Sequence, residues 1–199
     1  MQVITINAPG LEWQAKCLAD RVGREHKGNF DAIVAVRRGG SFVSEAFRKY
    51  FPRERYGERF EVDLHRPSTK YKKGRLVKML PHVPLWILNT MRLSEARLLK
   101  ARQAMFPNRK KPNVDLEPAL VDLLKSTPKP EVLLIDDAID SGITLWGIAE
   151  AIKAVNPAAV ITTMAITVTT RHPKIMADYY MYNNSTLVRF PWSKDFKNR

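Results

Sequence analysis

The chain has a single cysteine, Cys17, so it can form no internal disulfide; the residue falls in a helical stretch and reads as a small core group in a reducing compartment. Its four histidines, at 26, 65, 82 and 172, lack the spacing of a metal site. No apolar run approaches the ~20 residues that a membrane-spanning helix needs, so no membrane partner is expected. The opening residues Met1 to Ile6 have neither a basic leader nor a signal-type apolar stretch, and the expected location is the cytoplasm. A Walker ending of Gly-Lys-Ser/Thr is missing, so an NTPase reading fails. Internal repeats and low-complexity tracts are absent too. Acidic residues are comparatively few: 20 Asp/Glu face 33 Lys/Arg, for a net charge of +13. With 199 residues, 45% of them hydrophobic, the chain can bury one full core and is too apolar to be disordered.

What the sequence does contain is concentrated in residues 132–145. Val132 to Ile135 form an apolar run short enough for a buried parallel strand. Asp136 and Asp137 follow, where that strand is expected to emerge. Asp140-Ser141-Gly142-Ile143-Thr144 then makes a small-residue turn into a helical pattern of Ile143, Trp146, Ile148, Ala149 and Ile152. A strand, a hydroxyl- and glycine-bearing turn and a helix N-terminus together suit a phosphate, because the first-turn amides lack partners and the helix dipole favours an anion. Two acids beside such a turn suit a sugar phosphate. Asp140 also reads as a turn cap bonded to its own backbone.

A second strand run, Ala32 to Val36, leads into Arg37-Arg38-Gly39-Gly40-Ser41 and then into helical spacing at Phe42, Val43, Ala46, Phe47 and Tyr50. The glycines permit close backbone approach to an anion and the arginines can neutralise it, although the same four residues also read as a plain turn. Elsewhere, Val3 to Ile6 reads as a short edge strand, and Leu11, Ala15, Leu18, Ala19 and Val22 mark an amphipathic helix. Phe60 to Leu64 and Arg75 to Leu80 read as strands flanking a polar tip. Leu85 to Phe106 and Leu116 to Leu124 read as helices, with strands at Ala159 to Val168 and Leu187 to Phe190. The alternation predicts a single α/β domain over 1–199, a Rossmann-like parallel sheet with helices on both faces and ligands at the strands' carboxyl ends.

The 132–145 stretch resembles the phosphoribosyl-pyrophosphate (PRPP) signature of the type I phosphoribosyltransferases: four apolar residues, two acids, two apolar residues and a Ser/Thr-Gly-x-Thr turn. The resemblance implies that Asp136 and Asp137 bind the ribose hydroxyls and a PRPP-carried Mg²⁺, while Asp140 to Thr144 wrap the 5′-phosphate. Arg37, Arg38, Gly39 and Gly40 would form the pyrophosphate loop, with a cis peptide at Arg37-Arg38. Ala177-Asp178-Tyr179-Tyr180 and Leu187-Val188-Arg189-Phe190-Pro191-Trp192 are similar to the ending of microbial xanthine-guanine and hypoxanthine phosphoribosyltransferases. By that likeness residues 171–199 form a small hood, with Leu187 and Val188 against the base. The family commonly has an aromatic where Leu187 stands and a base-reading lysine within the stretch Ile166 to Arg171; here only Arg171 or Lys174 is basic. Phe190 and Trp192 also read as core or hinge aromatics. Asp140 occupies the place of the residue proposed in 6-oxopurine enzymes to take the purine proton.

Charge is uneven along the chain. Residues 53–112 carry 16 Lys/Arg against 5 Asp/Glu. The resemblance implies that a mobile lid lies in this segment, and Lys72 and Lys73 at its tip would capture PRPP. A solvated basic helix face, subunit contacts in a homo-oligomer and a nucleic-acid surface are other readings of the surplus. The expected activity is transfer of phosphoribosyl from PRPP to a nucleobase, a 6-oxopurine, with release of pyrophosphate. The alternative is a non-catalytic, regulatory PRPP sensor that binds RNA or DNA through the basic segment.

Overall fold

Asn7 starts helix α1 (Ala8–Glu25), its side-chain oxygen accepting the Gly10 amide at 3.0 Å, with Pro9 in the first turn where no amide partner is needed. The computed structural model describes residues 2–63, 83–105, 112–183 and 186–196, and for part of the helix ending at Met105 the backbone alone. The expected strand at Arg75–Leu80 and the lid residues Lys72 and Lys73 lie outside the described residues.

In chain order the elements are β1 (Gln2–Thr5), α1, β2 (Ala32–Val36), α2 (Gly39–Arg48), β3 (Glu58–Val62), α3 (Leu85–Met105), α4 (Pro118–Ser126), β4 (Glu131–Ile139), α5 (Ile143–Val155), β5 (Val160–Val168), β6 (Tyr179–Asn183) and β7 (Thr186–Arg189). The main sheet runs β3-β2-β4-β5-β6 with every pairing parallel. Alternate residues of β4 feed two separate cores, as the strand's two-residue period requires. Leu133 and Ile135 join α1 and α2 residues such as Leu18 and Phe47. Val132 and Leu134 join Leu120 and Leu124 of α4 and Ile148 and Ile152 of α5. β2, buried at every position, needs no polar alternation because helices cover both its faces.

Two elements depart from expectation. β4 does not end at Ile135: its ladder to β5 continues through Asp136↔Ala165, Ala138↔Thr167 and Ile139↔Val168. Side-chain charge does not interrupt a backbone ladder, so both acids sit within the strand. Tyr179–Asn183, which sequence alone assigned to the hood, is the edge strand beside β5, consistent with the β-preference of Tyr-Tyr-Met-Tyr. The remaining sheet has two strands, β1 and β7, parallel from Gln2↔Thr186 to Thr5↔Arg189, so the cap is built from both ends of the chain.

The chain crosses from β2 over one face through α2 to β3, and from β4 over the other face through α5 to β5. The crossovers diverge between β2 and β4. That topological switch point opens a crevice at the carboxyl ends of the strands, where ligands of open parallel sheets bind.

Candidate active site

β2 delivers the first side of the crevice. Arg37-Arg38 is a cis peptide bond, and α2 begins at Gly39 directly after it. A Cβ on Gly39 would lie 2.0 Å from Asp137 Oδ2, and one on Gly40 would lie 2.4 Å from the Ile135 carbonyl oxygen. The glycines therefore let the start of α2 sit against β4 and its acid. The two arginines part company: Arg37 Nε donates to Glu61 Oε2 at 3.1 Å, and its guanidinium lies 3.7 Å from Asp63. Arg38 is exposed and has no hydrogen-bond or ion-pair partner among the described residues.

β4 delivers the acids. Asp136 is 7% exposed, and its Oδ1 accepts the Asp137 amide at 2.8 Å. Asp137 lies on the α2 side, where its Oδ2 accepts the indole N–H of Trp192 at 2.8 Å. Burial pushes the Asp137 carboxyl above the ordinary carboxylate range, against hydrogen bonds from Trp192 and with Asp136 that act the other way.

The turn into α5 follows. Gly142 has φ +71°, and a Cβ there would come within 2.7 Å of the Ile175 backbone, so glycine is required for both conformation and space. No side chain caps this helix at Gly142; the Ser141 hydroxyl is 3.5 Å from the Ile143 amide, at the limit of a hydrogen bond. The Lys174 amide donates to the Ser141 carbonyl at 2.8 Å, and its ammonium lies 4.9 Å from the Trp146 ring centroid. Asp140 is exposed, and its Oδ1 accepts the Thr169 hydroxyl at 2.5 Å. Thr169, just beyond β5, was not among the expected site residues. Its signal was present, since a hydroxyl at the end of the strand next to the signature strand is placed to meet the turn.

A family model, the phosphoribosyl transferase domain, matches residues 6–196. The chain belongs to this family. It is a pentosyltransferase, and its transfer is PRPP-dependent. Among solved structures, a purine phosphoribosyltransferase from Pyrococcus horikoshii OT3 is similar over 97% of this chain and 95% of its own, with a TM-score of 0.58 at 17% identity. A xanthine-guanine-hypoxanthine phosphoribosyltransferase from Helicobacter pylori is similar over 96% and 93%, with a TM-score of 0.55 at 13% identity. A hypoxanthine-guanine phosphoribosyltransferase from Bacillus anthracis gives 89% and 81%, with a TM-score of 0.54 at 15% identity. At these identities the likeness speaks to the fold. No curated protein matches in sequence.

In this phosphoribosyltransferase the cap is held by a buried charge network. Arg189 is 1% exposed and donates to Asp195 Oδ2, Thr5 Oγ1 and Asn89 Oδ1, each at 2.9 Å. Arg92 of α3 donates to both Asp195 oxygens at 2.8 and 2.6 Å, and to the Val188 carbonyl at 2.9 Å. Burial alone would raise Asp195, but the hydrogen bonds from Arg92 and Arg189 outweigh it and hold the carboxyl below the ordinary range. Val188 is 5% exposed in the α1/α2 core, while Leu187 pairs with Val3 and is half-buried. Arg92, a basic residue of the 53–112 segment, is thus part of the cap's foundation. Sequence offered no signal for this, because its partner Asp195 lies 103 residues away.

Proposed function

We propose that this phosphoribosyltransferase transfers the 5-phosphoribosyl group of PRPP to a 6-oxopurine base and releases pyrophosphate. The observation that carries the reading is Asp140, exposed at the head of the Ser141–Thr144 turn and held by Thr169. A carboxylate in that place can accept a proton from the attacking base. Ser141, Gly142, Ile143 and Thr144 offer backbone amides and hydroxyls to the 5′-phosphate at the start of α5. Asp136 and Asp137 take the ribose hydroxyls. Arg38 supplies the charge that meets the pyrophosphate beside the Gly39-Gly40 backbone, since Arg37 is engaged by Glu61 and Asp63. Lys72 and Lys73 add capture charge, and Leu187 with the Val188 backbone borders the base.

Among the described residues no cluster of three or more His, Cys, Asp and Glu could cage a metal. A Mg²⁺ that arrives with PRPP would be held by Asp136 and Asp137 together with PRPP oxygens and would neutralise the pyrophosphate charge. In the transfer, a base nitrogen forms its bond to ribose C1′ as the C1′–O bond breaks. The bonding pair leaves on pyrophosphate and the base proton passes to Asp140. Exclusion of water by the lid favours transfer over hydrolysis. The reading includes a cytoplasmic homo-oligomer. Exposed Trp13, Trp86 and Leu98 supply apolar surface for self-association.

A PRPP sensor binding RNA or DNA through residues 53–112 is the competing reading. Three of that segment's cations are engaged internally: Arg55 on the carbonyls of Gly23, His26 and Gly28, Arg59 on Glu45 and Glu61, and Arg92 on Asp195. That engagement weakens the competing reading. The test is pyrophosphate release from PRPP and Mg²⁺ with hypoxanthine, guanine, xanthine, adenine and orotate. Turnover restricted to adenine or orotate overturns the 6-oxopurine assignment, and no turnover with any base overturns transfer to these bases.

A further inference from the structure

The Trp192 indole stacks with two other rings. Its centroid is 4.8 Å from that of Phe42 in the first turn of α2 and 4.8 Å from that of Phe190 in the cap, with the Phe190 plane tilted by only 7°. The indole is therefore already stacked on two rings of the protein itself. What it presents to the crevice is its N–H, which reaches Asp137 Oδ2 from 55 residues further along the chain. That same oxygen is 2.0 Å from where a Gly39 Cβ would stand, so the carboxylate is wedged between the start of α2 and the indole. A donor fixed by two stacked rings has little freedom to follow a wandering carboxylate. It restricts the carboxylate instead.

We propose that Trp192 is a positioning residue for PRPP binding: its N–H fixes the Asp137 carboxylate in the orientation that receives the ribose, so that seating the cap on α2 completes the sugar site. The inference rests on the assignment of Asp137 as a PRPP ligand. It gives the Phe190-Pro191-Trp192 segment a role on the ribose side of the site in addition to any role beside the base. Partners of this kind, one step removed from the ligand, change affinity or activity by about 10–100-fold when removed.

Trp192→Phe keeps a ring against Phe42 and Phe190 and deletes only the donor. Replacing the indole with the benzothiophene of 3-benzothienylalanine at position 192 does the same with nearly unchanged shape, and serves if the Phe variant folds poorly. For either protein, calorimetry with Mg²⁺-PRPP should show affinity about tenfold or more weaker. In steady state the KM for PRPP should rise while the KM for the base stays within about twofold and the melting temperature is held. Three results overturn the proposal: unchanged PRPP affinity in both variants, tighter PRPP binding, which would make the indole a competitor of the ligand, or a rise in the base KM with no change for PRPP. If the wild-type chain does not bind Mg²⁺-PRPP, the reading of Asp137 falls and the role of Trp192 falls with it. Wild-type binding with unaltered variants removes the positioning role alone.

Discussion

Replacing Asp195 with alanine should loosen the cap more than any other single charge deletion among the described residues. Arg189 is 1% exposed, and its guanidinium relies on Asp195, Thr5 and Asn89. In Asp195→Ala the two uncharged acceptors remain, and a buried cation loses its counter-charge. Breaking a buried ion pair from one side costs about 3–5 kcal/mol. For a chain of this size each kcal/mol shifts the melting temperature by about 2–4 °C, so a fall of about 6–20 °C is expected by calorimetry or circular dichroism. Asp195→Asn retains an acceptor and should lose less. The pH dependence has a definite sign. The folded carboxyl sits below its ordinary range, so its contribution is present above the unfolded value of about 3.9 and is lost as pH falls through the lower folded value. Wild type should therefore lose stability below about pH 4, and the part due to Asp195 should be absent from the acid limb of Asp195→Asn. An Asp195→Ala melting temperature within about 2 °C of wild type, roughly 1 kcal/mol or less, would refute the network's role.

Other outcomes follow from the site itself. Asp136→Asn combined with Asp137→Asn should abolish PRPP binding in calorimetry while far-UV circular dichroism stays unchanged; retained affinity would remove both residues from the ribose site. Asp140→Ala should lower kcat by about 10²–10⁴-fold with a smaller change in PRPP affinity, and a loss under about threefold would leave Asp140 as a turn cap. Thr169→Val, which removes the hydroxyl bonded to Asp140, should lower kcat in the same direction by a smaller factor, with Thr169→Ser restoring it. Neutralising Lys72 and Lys73 together should raise the KM for PRPP and flatten its dependence on salt between about 0.05 and 0.2 M, because charge capture at a distance is screened; an unchanged salt slope would take the pair out of capture.

Much of the scaffold was legible because it is written locally. The helix periods at Leu11 to Val22, the continuous apolar run at Ala32 to Val36 and the Ser141-Gly142-Ile143-Thr144 turn each depend on neighbours within a few residues. Parallel pairing and the position of the crevice then follow from βα alternation. The end of β4 is not legible in the apolar run, because a ladder is made by backbone groups and continues past Ile135 through the two acids. β6 is not legible either, because Tyr179-Tyr180 also matches the hood resemblance and only its pairing with β5 makes it a strand of the main sheet.

The sequence by itself determined most of the elements, the phosphate turn and the chemistry the acids can perform, since each is set by residue type and short-range spacing. Tertiary structure alone decided which side chains meet. It engaged Arg37 with Glu61 and left Arg38 exposed, and brought Trp192 onto Asp137 and Thr169 onto Asp140. It also made one cap of β1, β7, Arg92 and Asp195. These contacts join residues from 24 to 184 positions apart, and no local pattern encodes a pairing that exists only once the chain has closed on itself.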